Sequence, residues 1–204
     1  MTDRTHRRVL LIRHGQTEWS LTDRHTGRTD IDLTAKGEHD AATLDGVLDR
    51  LGLIDPYVIV SPRRRARRTA ELAGLRADEV TEAVAEWDYG DYEGLRTAGI
   101  QVLHPGWSVW ADGCPGGETP ADVASRADQL IAQLQDLSGP VILFSHGQFG
   151  RVLAARWIGL PVTQGQHFTL GPTSLSVLGF EQGYPQRRVI TLWNAPVCGG
   201  LRAI

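Results

Sequence analysis

Cysteine is scarce in this sequence: two residues in 204, Cys114 and Cys198, far apart and outside any CxxC spacing. That excludes a disulfide framework and leaves both as reduced structural residues. Long apolar runs are missing as well. The polar, basic opening MTDRTHRR leads into an apolar stretch of only about five residues, too short for a signal sequence or a membrane span, so a cytoplasmic protein with no membrane partner is expected. There is no excess of one charge: 21 Lys and Arg against 24 Asp and Glu give a formal net charge of −3. Nothing in that balance points to nucleic acid. The arginine run Arg63, Arg64, Arg65, Arg67 and Arg68 wraps most of a helix's circumference and comes without a helix-turn-helix or an aromatic RNA platform. HExxH, clustered aspartates and Cys/His ligand spacings are absent too, so no metal and no cofactor are expected. Internal repeats, low-complexity tracts and interdomain linkers are not seen.

What is present is enough apolar residue, 41%, to fill the core of one domain over residues 1–204. Strand-like runs at Val9 to Ile12, Tyr57 to Val60 and Val141 to Phe144 alternate with helical patterns. This is the signature of an α/β fold with a mostly parallel sheet between helical layers. Thr34 reads as the N-cap of a helix of about four turns carrying Ala41, Leu44, Val47, Leu48 and Leu51, closed near Gly52. Ser61 and Pro62 read as N-cap and first residue of a second helix reaching about Leu75, with Arg65 in its first turn. A third helix is predicted from Pro120 to about Leu137 and a fourth after Gly147. Ser174 to Phe180 and Arg188 to Trp193 read as an antiparallel edge pair turned at Gln182-Gly183. Between Trp87 and Pro120 the pattern breaks into glycine, tryptophan and turn residues, giving an expected irregular lid or small subdomain at about 87–120. Trp87, Trp107 and Trp110 are expected to wall a substrate entrance there.

Two short motifs carry the chemistry. Arg13-His14-Gly15 follows the first strand pattern and Ser145-His146-Gly147 follows the third. Ligands of open α/β sheets bind beyond the carboxyl ends of the strands, so two histidines and an arginine would share one pocket. Such a cluster can hold a phosphoryl group and offer an imidazole nitrogen to its phosphorus. Neighbouring cations would lower the pKa of His14 and keep its lone pair available. His146, protonated or neutral, could donate a hydrogen bond to a phosphoryl oxygen. His6, His39, His104 and His167 read as surface or satisfied core residues, while His25 is set apart by adjoining Thr26-Gly27.

LIRHGQTEWS, TGRTDIDLT, SPRRRARRTAEL, EWDYGDYEG and SHGQFGR occur in the order and approximate spacing of the histidine phosphatase superfamily, with its phosphoglycerate-mutase-like fold. Within it the chain resembles actinobacterial acid phosphatases and fungal sedoheptulose-bisphosphatases, through RHGQTEWS, EWDYGDYEG and the stretch from Trp107 to Cys114. The resemblance implies that His14 is the nucleophile that becomes phosphohistidine. It implies also that Arg13, Arg65 and His146 grip the phosphoryl oxygens, and that Glu86 is the proton donor. Substrate contacts are implied for Ser20, Thr26, Gly27, Tyr89, Gly147 and Gln148. Ser20 stands where asparagine is usual in the motif, which shortens a phosphate contact.

Physical chemistry supports these roles to differing degrees. Charge in phosphoryl transfer spreads over the equatorial oxygens, which guanidiniums meet with a planar fork. Arg65 gains from the positive end of its helix. An aromatic setting of Trp87, Tyr89 and Tyr92, with phosphate nearby, would favour the protonated form of Glu86. Glu82, Asp88, Asp91 and Glu93 stay open as competitors for that role.

The expectation is a metal-independent phosphatase for small-molecule phosphate esters, sugar phosphates or bisphosphates. A homodimer is left open. Mutases of the superfamily carry a longer segment with basic residues that clamp a carboxylate, whereas from Glu86 to His146 this chain has only Arg96 and Arg126 besides His104. A mutase is the alternative within the class, and a non-catalytic phospho-ligand binding module the alternative outside it.

Overall fold

Strand geometry sends alternate side chains to opposite faces, and in this protein both faces of the sheet are covered, which is why its central strands read as unbroken apolar runs. The computed structural model describes residues 8–197; Cys198 and His6 lie outside them. The strands are β1 (Val9–Arg13), β2 (Tyr57–Val60), β3 (Glu79–Val80), β4 (Val141–Ser145), β5 (Leu175–Glu181) and β6 (Tyr184–Ala195). They form one mixed sheet in the order β3-β2-β4-β1-β5-β6. β3, β2, β4 and β1 run parallel, and β5 and β6 complete one edge antiparallel. The helices are α1 (Glu18–Leu21), α2 (Ala35–Ala42), α3 (Leu44–Arg50), α4 (Arg64–Leu72), α5 (Thr97–Leu103), α6 (Val109–Asp112), α7 (Pro120–Asp136) and α8 (Gly147–Trp157).

Val9, Leu11, Ile59, Val141 and Leu143 face one core, completed by Leu130 and Leu134 of α7, Leu153 and Trp157 of α8, and the 87–114 segment. Leu10, Ile12, Val58, Val60, Ile142 and Phe144 face the other, completed by Leu44 and Val47 of α3 and Ala66 and Ala70 of α4. The result is the expected helix–sheet–helix sandwich. Among the described residues no helix is long and apolar enough to cross a membrane. Cys114 is a buried free thiol that burial pushes up to about 12.

Local details depart from the sequence reading for identifiable reasons. Thr34 caps α2 as expected, its Oγ1 accepting the Gly37 N–H at 3.0 Å. The expected four-turn helix is interrupted at Thr43, whose hydroxyl bonds back to the Asp40 carbonyl at 2.7 Å and competes with the helical ladder. Ser61 and Pro62 do not start the second helix. Ser61 prolongs the β2 pairing through its N–H to the Phe144 carbonyl, and its hydroxyl is taken by His146. α4 therefore begins at Arg64, whose N–H is capped from a distant loop by Asp30 at 2.9 Å. Residues 87–120, expected to be irregular, contain α5 and α6. β3, two exposed residues long, had no pattern to announce it.

Core truncation tests this arrangement. Leu143→Ala, at a position with no exposed surface, should cost about 2–5 kcal/mol of stability in urea denaturation. Ile54→Ala, at an exposed site, should change it by less than about 0.5 kcal/mol.

Candidate active site

β1 and β4 are adjacent and parallel, with Arg13 in register with Ser145. The residues that follow them, His14 and His146, are thereby set side by side, their rings 5.1 Å apart edge to face. The His14 N–H bonds the Ser145 carbonyl at 2.9 Å, and Thr173 N–H reaches the carbonyls of Arg13 and His14. Behind the loop, Gly15 and Gly37 pack backbone to backbone: a Cβ on Gly37 would meet the Gln16 carbonyl oxygen at 2.2 Å.

His14 is buried, and its Nδ1 lies 2.7 Å from the Gly15 carbonyl. A carbonyl only accepts, so Nδ1 carries the proton and Nε2 keeps its lone pair. Burial, then the guanidiniums of Arg65 and Arg13, hold the His14 imidazole well below its ordinary value, against a smaller opposing pull from the Gly15 hydrogen bond. His146 is also held well below, by burial first and then by Arg65 and His14. Its Nε2 pairs with Ser61 Oγ at 2.7 Å. Nδ1 of His146 is buried without a protein partner among the described residues.

The cleft beyond these strand ends has a volume of about 570 Å³. Of the residues singled out from sequence, Arg13, His14, Ser20, Thr26, Glu86, Tyr89, Gly147 and Gln148 line it. Arg13 donates from Nη1 to the Leu170 carbonyl and lies against Gly147, where a Cβ would meet its guanidinium carbon at 3.2 Å. Glycine is what lets the arginine approach the start of α8. Ser20 spends its hydroxyl on the α1 capping box with Thr17. Tyr89 is buried against His25, ring centroids 4.6 Å apart, and burial followed by Glu86 raises its phenol well above the ordinary value.

Arg65 and Gly27 sit one layer deeper. The fully buried Arg65 donates to the carbonyls of Thr29, Thr26 and Gly27 at 2.8, 2.8 and 3.0 Å, so it holds the 26–29 loop as well as supplying charge. Burial pulls it down to about 10, which leaves it charged at neutral pH. Its Nε has no protein partner among the described residues. Glu93 braces the same loop, accepting from Gly27 and Thr29 N–H groups.

Glu86 is the one acidic residue of the 82–93 stretch that reaches the cleft among the described residues. Glu82 pairs with Arg63, Asp88 with Arg28, and Glu93 is committed to its loop. Its setting differs from the expected aromatic one. Glu86 Oε1 accepts the N–H groups of Phe149 and Trp87 at 2.7 and 2.9 Å, and Oε2 that of Gln148 at 3.0 Å. Sequence could not show that the first turn of α8 folds onto this side chain. Arg126 supports the same segment, pairing with Glu118 and donating to the carbonyls of Ala85 and Glu86.

The tryptophans do not wall the entrance. Trp87, Trp107 and Trp110 are at most 7% exposed and belong to the core. Trp87 and Trp107 donate their indole N–H to the carbonyls of Glu118 and Gly113. A glycine-rich setting suggested surface, but it serves here to let bulky rings pack under tight turns. The walls are instead Thr17, Asp23, Arg24, His25, Arg96, Thr97, Ala98, Arg151 and Leu170. Thr17 lies within LIRHGQTEWS and Arg151 within SHGQFGR, and His25 adjoins Thr26-Gly27; the others carry no signal in the sequence, because their meeting depends on how separate loops cross.

The whole of residues 9–195 matches the model of the histidine phosphatase superfamily, branch 1. The chain belongs to this family. It is 47% identical to an acid phosphatase of Mycobacterium tuberculosis over 93% of this chain and 94% of that protein. It is 36% identical to the sedoheptulose 1,7-bisphosphatase of Saccharomyces cerevisiae over 76% of this chain and 69% of that one. The solved structure of an M. tuberculosis open reading frame product superposes with a TM-score of 0.89 at 44% identity, covering 94% of this chain and 98% of the other.

The depressed histidines give a pH dependence with a definite sign. Below about pH 6.5 the unfolded chain takes up protons on His14 and His146 that the folded protein refuses, so stability falls with falling pH and is level above that point for these groups. His25, lowered by burial to about 4, adds to the fall down to that pH. Each histidine contributes up to about 1.4 kcal/mol per pH unit. Urea denaturation across this range should show the slope, and His14→Asn should make it shallower; an unchanged slope would show that His14 titrates normally in the folded state.

Proposed function

We propose that the protein hydrolyses phosphomonoesters of small metabolites, sugar phosphates or bisphosphates among them, without a metal and through a phosphohistidine on His14. That it is a phosphatase of the histidine phosphatase superfamily is the starting point. The observation that carries the finer reading is the hydrogen bond from His14 Nδ1 to the Gly15 carbonyl, which fixes the tautomer with the Nε2 lone pair available. Because burial and two guanidiniums keep this imidazole neutral well below pH 6.5, it can attack in mildly acidic as well as neutral solution.

In the first step the Nε2 lone pair forms the N–P bond as the ester P–O bond breaks, and its electrons pass to the leaving oxygen, which takes a proton from Glu86. Arg13, Arg65 and His146 face the charge on the equatorial oxygens. Glu86 Oε1 already accepts two N–H groups and Oε2 one, so the transferred proton rides on Oε2. In the second step water attacks phosphorus, Glu86 takes its proton, and the P–N electrons return to Nε2 as phosphate leaves. Ser20, Thr26, Gly27, Tyr89, Gly147 and Gln148 are assigned to the walls and loops that receive the ester.

Hydrolysis is favoured over a mutase because Arg126 is consumed by Glu118 and backbone carbonyls. Of the two arginines between Glu86 and His146, that leaves Arg96 at the cleft. The names of the two relatives, an acid phosphatase and a sugar bisphosphatase, support the same choice. Cys114, a free thiol, supports a cytoplasmic setting.

Acid quenching during turnover should trap an acid-labile phosphoenzyme in the wild type and none in His14→Ala, which should be inactive. Glu86→Gln should slow an alkyl phosphate about 10²- to 10⁴-fold while largely sparing the burst from an activated aryl phosphate. Normal turnover by His14→Ala, or equal losses on both ester types, would remove these residues from their roles.

Among the described residues no group of three or more His, Cys, Asp or Glu side chains is placed to hold a metal ion. Activity should accordingly survive exhaustive chelation. Loss in EDTA restored by magnesium or zinc would overturn metal independence.

A further inference from the structure

Ser61 has the sequence setting of a helix cap, yet the structure engages its hydroxyl elsewhere. It lies one residue past β2, whose Val60 is in register with Phe144 of β4, so it stands beside the Ser145-His146 turn. Its N–H bonds the Phe144 carbonyl at 3.0 Å, and its Oγ lies 2.7 Å from Nε2 of His146. Neither residue has any exposed surface. An unpaired donor or acceptor between two such enclosed groups carries the full cost of its desolvation, so the position of each proton there is energetically decided.

A hydroxyl has one proton to give and two lone pairs to fill. One lone pair faces the Arg63 N–H across a long 3.4 Å contact. Oγ has no other partner than Arg63 and His146 among the described residues, so the hydroxyl proton can go only to Nε2. If Nε2 bore a hydrogen of its own, Ser61 would have to accept that as well, and its O–H would be left buried without an acceptor. If Nε2 is bare, both groups are satisfied. The ring is neutral, because burial first and then Arg65, His14, Arg63 and Arg13 hold it well below its ordinary value. Its single proton then belongs on Nδ1, the buried atom without a protein partner among the described residues. In the reverse tautomer Nδ1 would carry a lone pair, which repels the anionic oxygens of the phosphoryl site proposed above.

We propose that Ser61 is a positioning residue that fixes His146 as the Nδ1–H tautomer, so that this imidazole donates a hydrogen bond to a phosphoryl oxygen. The proposal rests on the phosphatase reading and deepens it. His14 has its tautomer set by a carbonyl that accepts from Nδ1, and His146 by a hydroxyl that donates to Nε2. Both rings thus carry the proton on Nδ1 for opposite uses, His14 freeing Nε2 to attack and His146 offering Nδ1–H to the charge that the attack displaces. Sequence hid the pair because its members are 85 positions apart and serine before proline is itself a good helix start.

Nitrogen-15 NMR of the labelled protein distinguishes the tautomers, with the His146 signals assigned by their absence from His146→Gln. At neutral pH the wild type should show a protonated Nδ1 and a bare Nε2 at His146, and the Nδ1–H resonance should shift when inorganic phosphate is added. Ser61→Ala should lose this single tautomer and lower kcat/KM by about 10- to 100-fold. The loss should be the same for alkyl and aryl phosphates, because a bond to the phosphoryl oxygen does not depend on the leaving group. Ser61→Thr, which keeps a hydroxyl, should keep Nδ1–H and recover most of the rate. A proton on Nε2 or on both nitrogens of the wild type, or no shift with phosphate, would overturn the proposal. So would a wild-type rate or an undisturbed tautomer in Ser61→Ala, or a Ser61→Thr protein that keeps Nδ1–H yet is as slow as Ser61→Ala. Absence of turnover with every ester would instead remove the phosphatase reading. The tautomer and its response to inorganic phosphate are read without turnover and would still decide the role of Ser61.

Discussion

The pairing of β1 with β4 is the constraint on which the site depends. These two parallel strands are contributed by residues more than 120 positions apart, and their register sets Arg13 opposite Ser145. A slip of one residue would send every side chain of one strand to the wrong face, exposing Leu11 or Leu143 and separating the two imidazoles. The apolar cores on both faces therefore enforce a register whose chemical consequence appears one residue beyond the strands. Packing energy, not any contact between the histidines, holds the pair together.

Burial then gives the paired groups their character. Placing two imidazoles and the Arg65 guanidinium in a site with little water disfavours every positive charge there. The guanidiniums keep theirs because their ordinary value is so high, and the histidines give theirs up. One environment thus yields both fixed cations and neutral imidazoles. The cost appears as buried nitrogens without a protein partner among the described residues, Nε of Arg13, Arg63 and Arg65 and Nδ1 of His146. In the proposed mechanism phosphoryl oxygens engage Arg13, Arg65 and His146 among these.

The central strands, the long α7 with its proline start, and the edge hairpin were legible because periodicity and helix-start signals are local properties. The RHG and SHG motifs were legible because they sit directly after such strands. What escaped was set by long-range choices. Ser61 looked like a cap, but its hydroxyl was claimed by His146 from across the sheet. Trp107 and Trp110 looked like walls, but apolar area that large is worth more in the core than at a rim. Glu86 was found by its motif, yet its three N–H partners come from its own neighbour and from a helix 61 positions on.

The environment of Glu86 shows how the remaining parts are coupled. Its carboxyl group is fixed by the first turn of α8, and its backbone by Arg126, which lies over the Phe149 ring at 4.2 Å and is itself fixed by Glu118. Glu118 also accepts the Asp88 N–H, while its carbonyl accepts the Trp87 indole N–H. The Glu86 carboxyl group thus depends on the same helix whose first residue, Gly147, makes room for Arg13. A displacement of α8 would therefore disturb the Glu86 carboxyl group and the Arg13 guanidinium together.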